Sequence, residues 1–363
     1  MSSLVIQTSF LGDMVLTTPL LERLAERGPV DVVATPANAS LLKGHPAVRD
    51  VILFDKHGSA KGYRGLLRVA AQVRWRESES GREPRGARIA YLAQGSVRSV
   101  WLAILAGVPE RVGFNTSAAR LFYTRRVIYR RDLHHATRLW QLANLTHNQM
   151  PELPLQPTLH PGDSDKAVLD RLLEQNGATR ATRLIALAPG SVWATKRWPW
   201  FDELATRLTQ HPTLRAYRLV VIGAEGDREL AERIATGVAE AGGQPVIDAT
   251  GKLSLLGSAE LIRRASAIIT NDSAPLHLAS AMKTPTVALF GPTVPTLGFG
   301  PLAPKQIVLG VDHLLCRPCH AHGPQTCPLK HWKCMREMGA DRVTDPLTHF
   351  FGSHPSAASA SQS

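Results

Sequence analysis

The sequence predicts an α/β protein made of two doubly wound parallel-sheet halves that face a cleft. In both halves, short apolar runs rich in β-branched residues alternate with amphipathic runs, a pattern typical of βαβ units. A chain of 363 residues is long enough for two domains of roughly 100–200 residues. The Pro-rich stretch Met150–Pro157, followed by His160–Asp163, continues neither periodicity and therefore separates the halves.

Each half carries five predicted strands. In the first half these are Leu4–Thr8, Val30–Ala34, Val51–Phe54, Arg88–Leu92 and Arg111–Gly113, with helices at Met14–Arg27, Gly65–Arg76 and Val97–Ala106. In the second half the strands are Leu184–Ala188, Leu219–Gly223, Val246–Asp248, Ala267–Thr270 and Thr286–Phe290, with helices at Trp200–Gln210, Arg228–Ala241, Leu255–Ala265 and Ala274–Ala281.

These elements divide the chain into a first domain at 1–150, a linker at 151–165 and a second domain at 166–350. The second domain includes a Cys-rich segment at 316–334, and the low-complexity tail 351–363 is expected to be disordered because it has little to pack. Pro19 lies too deep for the first turn of its helix, so we expect it to bend the helix or delay its start.

The composition is strongly basic, which favours an anionic partner. A formal charge of +12 and a pI near 10.0 suit nucleic acid, phosphorylated substrates or a membrane surface alike. The longest apolar run, Val100–Val108, is about half the ~20 residues that a membrane span needs. We expect neither a transmembrane helix nor a signal peptide, and therefore a cytoplasmic protein.

Two common nucleotide-binding loops are missing from the sequence. Neither the phosphate loop of nucleoside triphosphatases nor a glycine-rich dinucleotide loop follows a predicted strand. This disfavours nucleoside triphosphate hydrolysis and nicotinamide chemistry.

The first candidate site follows the first strand at Thr8–Asp13. Ligands of open α/β sheets bind at the carboxyl ends of strands, where this loop lies. Asp13 is therefore either a catalytic carboxylate or the cap of the helix that begins here.

A second candidate site is Asn271–His277, at the end of an apolar strand and the start of a helix. Backbone N–H groups and the Ser273 hydroxyl would bind a phosphate there. The alternative is a capped helix with a buried core histidine, His277. Another polar turn, Gly291–Thr293, follows the next strand.

A third candidate site is Pro189–Pro199, after the first strand of the second half. Its Ser191, Thr195 and Lys196 offer hydroxyl donors and a point charge to a diphosphate, although an ordinary basic surface loop would look the same. Glu225 follows another strand and is either a ribose partner or, like Asp227, a helix cap.

Taken together and in this order, the segments resemble the bacterial lipopolysaccharide heptosyltransferases of glycosyltransferase family 9. The resemblance rests on Thr8–Asp13, Lys196–Pro199, Asn271–His277 and Gly291–Thr293, and it extends to about Phe350. The Asn-Asp-Ser sequence and the Cys-rich segment are more similar to heptosyltransferase II than to heptosyltransferase I.

The resemblance implies a GT-B fold, two Rossmann-like domains with the acceptor on the first and ADP-heptose on the second. It also implies an inverting, metal-independent transfer of L-glycero-D-manno-heptose to the Kdo or heptose of the inner core. Asp13 matches the general base that deprotonates the acceptor hydroxyl. No cofactor is expected for catalysis.

The resemblance further assigns donor and acceptor residues. Leu253 falls beside the adenine, and Ala274 departs from the glycine usual at its position. The donor-binding residues expected are Ser191, Thr195, Lys196, Glu225, Leu253, Asp272, Ser273, Ala274 and His277. For the Kdo carboxylates or phosphates of the acceptor we expect Arg98, Arg120, Arg125 and Arg126, unless these arginines form a solvated basic face.

All four cysteines, Cys316, Cys319, Cys327 and Cys334, lie in one segment with interleaved histidines. The first pair has the spacing of a structural zinc site, whereas the second pair is six residues apart. A structural zinc and reduced free thiols stay open alternatives, and both are favoured over disulfides.

The partners implied are ADP-heptose and a lipid A-Kdo core, met by a monomer at the cytoplasmic face of the inner membrane. The alternatives are a family 9 transferase with another nucleotide sugar or acceptor, a sugar-binding scaffold without activity, and a nucleic-acid-binding α/β protein. Scattered basic residues disfavour nucleic acid.

Overall fold

Two parallel six-stranded sheets form the frame of the molecule. The computed structural model describes residues 2–56, 58–79, 88–144, 151–152 and 154–351. The first sheet has the order β3-β2-β1-β4-β5-β6 and consists of β1 (Ser3–Gln7), β2 (Val30–Ala34), β3 (Asp50–Leu53), β4 (Ile89–Leu92), β5 (Glu110–Phe114) and β6 (Arg125–Val127). The second has the order β12-β11-β10-β7-β8-β9 and consists of β7 (Leu184–Ala188), β8 (Arg218–Val221), β9 (Ile247–Asp248), β10 (Ala265–Asn271), β11 (Thr286–Phe290) and β12 (Gln306–Gly310).

Helices connect the strands and cover the sheets. They are α1 (Leu11–Ala25), α2 (Pro36–Leu41), α3 (Gly62–Glu79), α4 (Val97–Leu105), α5 (His135–Gln141), α6 (Asp163–Gln175), α7 (Phe201–Gln210), α8 (Arg228–Glu240), α9 (Leu255–Arg264), α10 (Ala274–Met282), α11 (Lys333–Arg336) and α12 (Asp341–Phe351). Within the described part of the chain, none is long and apolar enough to cross a membrane.

The two sheets share one topology, which fixes where ligands bind. Strand order reverses between β1 and β4 in the first sheet and between β7 and β10 in the second. In doubly wound sheets the crevice outside the carboxyl ends of such strands is the binding site. The loops after β1, β4, β7 and β10 therefore meet in the cleft between the sheets.

The predicted α/β class and the predicted strands are confirmed; β2, β7 and β11 match the prediction at both ends, and no other strand end differs by more than two residues. The prediction missed the edge strands β6 and β12 and five helices, α2, α5, α6, α11 and α12. The strand β6 is only three residues long and begins with two arginines, so no apolar alternation marks it. Helix α6 begins inside the predicted linker, and residues 352–363 of the predicted tail lie outside the described residues.

The expectation that Pro19 delays or bends α1 is wrong about the start, because α1 begins at Leu11, before the predicted Met14. Proline has no N–H, so the carbonyl of Val15 loses its usual partner one turn later. The hydroxyl of Thr18 donates to that carbonyl at 2.9 Å instead. A local side chain therefore satisfies the group that proline leaves unpaired.

The segment before α6 is fixed against α1 by a polar network. The Thr158 N–H donates to the Thr18 hydroxyl at 2.9 Å, and the Thr158 hydroxyl donates to Glu22. His45 Nε2 lies 3.4 Å from the same hydroxyl. Burial, and to a lesser degree His160, lowers the pKa of His45 to about 4, so His45 takes part as a neutral group. This network fixes the segment that connects the two sheets against the first sheet.

Candidate active site

The cleft contains three adjoining cavities. The N-side cavity, about 790 Å³, lies against the first sheet, and the C-side cavity, about 460 Å³, lies against the second. The central cavity shares Asp13 and Phe299 with the N-side cavity, and it shares Ser191, Ser273 and Ala274 with the C-side cavity. A ligand in one cavity is thus within reach of a ligand in the next.

Asp13 both caps its helix and lines the cleft. It is the third residue of α1, and its Oδ2 accepts the Phe10 N–H at 3.3 Å, so the capping role considered from the sequence is present. Its Oδ1 lies 3.6 Å from Nε2 of His135. The carboxylate borders both the N-side and the central cavity.

Two histidines near Asp13 are neutral at physiological pH. Burial, with Arg138 and His134 nearby, lowers the pKa of His135 to about 3. Burial also lowers the pKa of His277 to about 4, although Asp272 and Asp13 oppose the shift. Because neither ring is a cation, neither one neutralises the Asp13 carboxylate in place of a ligand.

Close packing of α1 on α10 places the two sheets' site residues in one cavity. Gly12 lies against the ring of His277, and a Cβ at Gly12 would be 2.5 Å from His277 Cδ2. No side chain fits in that space. Farther along the cleft, the His135 N–H donates to the Gly298 carbonyl at 2.7 Å, and Arg138 donates to the Leu297 carbonyl at 3.1 Å. These contacts join the first sheet's helices to the second half.

Lys196 is held in the central cavity by a buried carboxylate. Its Nζ lies 2.6 Å from Asp272 Oδ2, which also accepts the Thr293 hydroxyl at 2.6 Å. Asp272, an expected donor residue, lines the central cavity and also orients Lys196. Because both ions are buried, the pair is sensitive to loss of either partner.

Asn271, the first residue of the predicted site Asn271–His277, links two of the loops. Its Oδ1 accepts the Trp198 N–H at 3.2 Å and its Nδ2 donates to the Pro189 carbonyl at 2.8 Å. Such a bridge from a strand end was not visible in the motif itself, since either amide atom could have faced a ligand. It fixes the Lys196 loop relative to the start of α10.

The start of α10 supplies the polar groups between the central and C-side cavities. Ser273 is its N-cap, and Pro275 stands in its first turn, so the free N–H groups there face the cleft. Ser191 and Ala274 line the same two cavities. The structure thus brings these three predicted donor residues together.

The C-side cavity has an apolar wall and a carboxylate at its rim. Leu253 lines it with Ile222 and Leu278. Asp227, not Glu225, makes the capping contact, since its Oδ2 accepts the Ala224 N–H at 2.9 Å. Glu225 is 68% exposed and pairs with Arg228 at 2.6 Å, beside two residues that line the cavity.

The arginines at the N-side cavity are not those expected from the sequence. Arg131 and Arg138 line it, and Arg138 is buried with its guanidinium donating to backbone carbonyls. Arg131 is exposed and is therefore the better placed of the two for an anionic ligand. It lies among several neighbouring arginines, and the sequence alone does not show which of them faces the cavity.

The four arginines expected to bind acceptor do not line any of the three cavities as described. Arg98 is exposed on α4, Arg120 is exposed in a short turn after β5, and Arg126 is exposed on β6. Arg125 lies 4.0 Å from Glu110. Three of the four are therefore exposed to solvent in the first half of the molecule.

The Cys-rich segment closes over the cleft. His322 lines the central and N-side cavities, and its ring is 5.9 Å from that of Phe10. The Thr195 hydroxyl donates to the Pro324 carbonyl, so Thr195 holds this segment and, at 3% exposed, does not line the cavities. Gln325 Nε2 donates to the Val192 carbonyl at 3.0 Å. The sequence analysis gave this segment no part in the cleft.

The cysteines lie near one another as free thiols. Burial and the other three cysteines raise the pKa of Cys334 to about 11, although Arg317 opposes the shift. Cys316 Sγ is 3.9 Å from His331 Nε2. In the described chain the sulfurs do not form a set of three within 4.8 Å, so a bound metal would require the segment to tighten.

Comparison with known proteins gives consistent matches. The family described as glycosyltransferase family 9 (heptosyltransferase) matches residues 85–333. A lipopolysaccharide heptosyltransferase 1 from Pseudomonas aeruginosa is 31% identical over 331 residues, 88% of this chain and 86% of that protein. Each of two solved structures covers 96% of this chain. They are a family 9 glycosyl transferase from Veillonella parvula (TM-score 0.79, 23% identity, 96% of that chain) and the Escherichia coli ADP-heptose heptosyltransferase II (0.75, 24%, 98%).

We predict that Gly12→Ala separates α1 from α10 and lowers turnover by about 100-fold, because a shift near 1 Å at a reacting group has that effect. Steady-state kinetics measures the loss. Gly237→Ala on α8 is the control, since its Cβ would meet only Thr206 Oγ1, at 3.4 Å, among side chains. Equal activity of Gly12→Ala and wild type would show that the close approach is unnecessary.

We also predict that the free energy of unfolding falls as the pH drops from about 6.5 towards 4. His277 has a pKa of about 4 when folded, so the unfolded chain binds more protons in this window. His277→Gln should reduce the slope by up to about 1.4 kcal/mol per pH unit. Urea unfolding at several pH values measures the slope, with the exposed His313→Gln as control. An unchanged slope contradicts the assignment.

Proposed function

The chain belongs to glycosyltransferase family 9, and from that membership we propose that it transfers L-glycero-D-manno-heptose from ADP-heptose to the inner core of lipopolysaccharide. The proposal is carried by the position of Asp13 between the N-side and central cavities, with Lys196 and the start of α10 bordering the central cavity. Donor and acceptor class follow from the similar proteins, named for ADP-heptose and lipopolysaccharide.

The donor would occupy the C-side and central cavities. Its adenine packs on the apolar wall at Leu253, and Glu225 at the rim accepts from the ribose hydroxyls. The diphosphate lies at the start of α10, near Lys196, Ser191 and Ser273, where N–H groups and an ammonium stabilise negative charge. The methyl group of Ala274 leaves the diphosphate less room to approach the backbone here than a glycine would.

The transfer itself is a direct displacement. Asp13 takes the proton of the acceptor hydroxyl, and the hydroxyl oxygen attacks the anomeric carbon on the face opposite the diphosphate. The bond from that carbon to the phosphate oxygen breaks, its electron pair leaves with ADP, and the configuration inverts. Lys196 and the α10 N-terminus neutralise the departing charge, a task for which many transferases use a divalent cation.

The acceptor would bind in the N-side cavity, against the first sheet. Arg131 is exposed at its wall and suits a Kdo carboxylate or a core phosphate. Gln94 lines the same cavity, and its Nε2 donates to the Ser99 hydroxyl at 2.9 Å. Heptosyltransferases of both numbered types occur among the similar proteins, so the greater similarity to type II stays a prediction from the sequence motifs.

Two other functions rest on fewer observations. A family 9 transferase with a different nucleotide sugar would keep Asp13 and Lys196 and differ in its contacts at Leu253 and Glu225. A sugar-binding scaffold would use Asp13 only as the α1 cap. Family membership favours the transferase over nucleic-acid binding.

We place this activity at the cytoplasmic face of the inner membrane, where a lipid-linked polyanionic acceptor attracts a chain of charge +12. We propose that the protein acts there as a monomer.

We predict that Asp13→Asn lowers turnover about 100-fold or more while ADP affinity stays unchanged, because the amide keeps the cap but takes no proton. ADP release and calorimetric ADP binding are the two measurements. Asp165→Asn is a matched control, since Asp165 is also the third residue of a helix and accepts the Gly162 N–H at 3.0 Å. Full activity of Asp13→Asn would remove Asp13 from the mechanism and favour the scaffold.

We further propose that the Cys-rich segment tightens around one structural zinc ion, because its four thiols, with His331 beside Cys316, include the four donors that a tetrahedral zinc site needs. Purified protein should then contain about one zinc per chain by mass spectrometry, and Cys319→Ser should lose it. A wild-type protein that contains clearly less than one zinc or iron ion per chain contradicts a metal site in this segment.

A further inference from the structure

An exposed apolar surface lies on the outer side of the first sheet. We call it the aromatic patch and define it by Tyr63, Leu67, Val97, Trp101, Leu121 and Phe122, all exposed. A shallow groove between Tyr63, Val97 and Trp101 joins α3 to α4, and the Trp101 and Phe122 rings are 5.5 Å apart. Contiguous apolar surface of this kind marks an interaction site.

Positive charge surrounds the aromatic patch. Residues 56–76 contain six Lys and Arg and no Asp or Glu, and residues 95–131 contain seven Arg and one Glu. Arg64 and Arg68 are exposed on α3, Arg98 lines the groove, and Arg120 precedes Leu121. Aromatic rings among cations suit the interface of an anionic bilayer, where rings insert at headgroup depth and arginines meet phosphates.

The aromatic patch adjoins the N-side cavity along two segments. Gln94 and Gly95 line the cavity, and Val97 follows two residues later on the patch. Likewise Ser117 lines the cavity, and Leu121 follows four residues later. A surface seated on the patch would therefore hold lipid-linked sugars close to the opening of that cavity.

We propose that the aromatic patch docks the protein on a bilayer containing anionic phospholipids, and that Arg98 and Arg120 contact lipid phosphates rather than the acceptor sugar. Its role in presenting an acceptor rests on the proposed function. Docking itself does not, because lipid binding requires no turnover.

Vesicle flotation tests the docking. The wild type should bind phosphatidylglycerol–phosphatidylcholine vesicles more tightly than pure phosphatidylcholine vesicles, and less tightly as salt rises. The double variant Tyr63→Ser/Leu121→Ser removes side chains that are 66% and 75% exposed, so folding should survive. We expect about tenfold weaker vesicle binding from the loss of this apolar area. The matched control is Leu315→Ser/Leu329→Ser, which changes two exposed leucines of the second half. This variant should bind like the wild type.

The charged part of the surface has its own variant. Arg98→Gln/Arg120→Gln should weaken binding to anionic vesicles about 25-fold at low salt, at roughly fivefold per arginine. Arg215→Gln, exposed in the second half, is its control. Turnover on a deacylated, soluble acceptor should stay at the wild-type level in both double variants.

Three results would overturn the inference. They are vesicle binding by the Tyr63/Leu121 double variant equal to that of the wild type, lost turnover on the soluble acceptor in the Arg98/Arg120 variant, and a wild-type dimer that the Tyr63/Leu121 variant dissociates. The second result would return these arginines to the acceptor site. Absence of turnover with ADP-heptose would instead refute the proposed function and leave vesicle binding unaffected.

Discussion

The contact between Gly12 and His277 is the constraint on which the cleft depends. Asp13 belongs to a helix of the first sheet, whereas the expected phosphate-binding groups begin a helix of the second. They border one cavity because α1 and α10 approach so closely that a Cβ at Gly12 would lie 2.5 Å from the His277 ring. The linker network at Thr158 and the Gly298 contact with α5 support the same arrangement.

Electrostatics within the cleft follow from burial. His135 and His277 are neutral because burial lowers their pKa values to about 3 and 4, so they shape the site without adding charge. Asp272 balances Lys196 at 2.6 Å, which permits a buried cation before any diphosphate arrives. The ammonium is therefore already oriented, and in the proposed transfer such preorganised charge would lower the barrier to departure of the leaving group.

Much of this could be predicted from sequence because the informative signals are local. Strand periodicity and the polar residues after each strand identified Asp13 and Lys196, and doubly wound topology brings such loops together. The rest depends on tertiary packing. His135 enters the site because α5 docks on the Gly298 carbonyl. His322 arrives on a segment without regular periodicity, and Arg131 is distinguished from neighbouring arginines only by the direction of the chain after β6.

The proposed transfer is tested most directly by ADP release from ADP-heptose by the purified protein in EDTA, with and without a heptose-deficient lipopolysaccharide core. If Asp13 activates an acceptor hydroxyl and Lys196 takes the place of a metal at the diphosphate, ADP release depends on the acceptor and continues in EDTA. A folded protein that binds ADP but releases none from ADP-heptose in the presence of acceptor would contradict the proposed transfer.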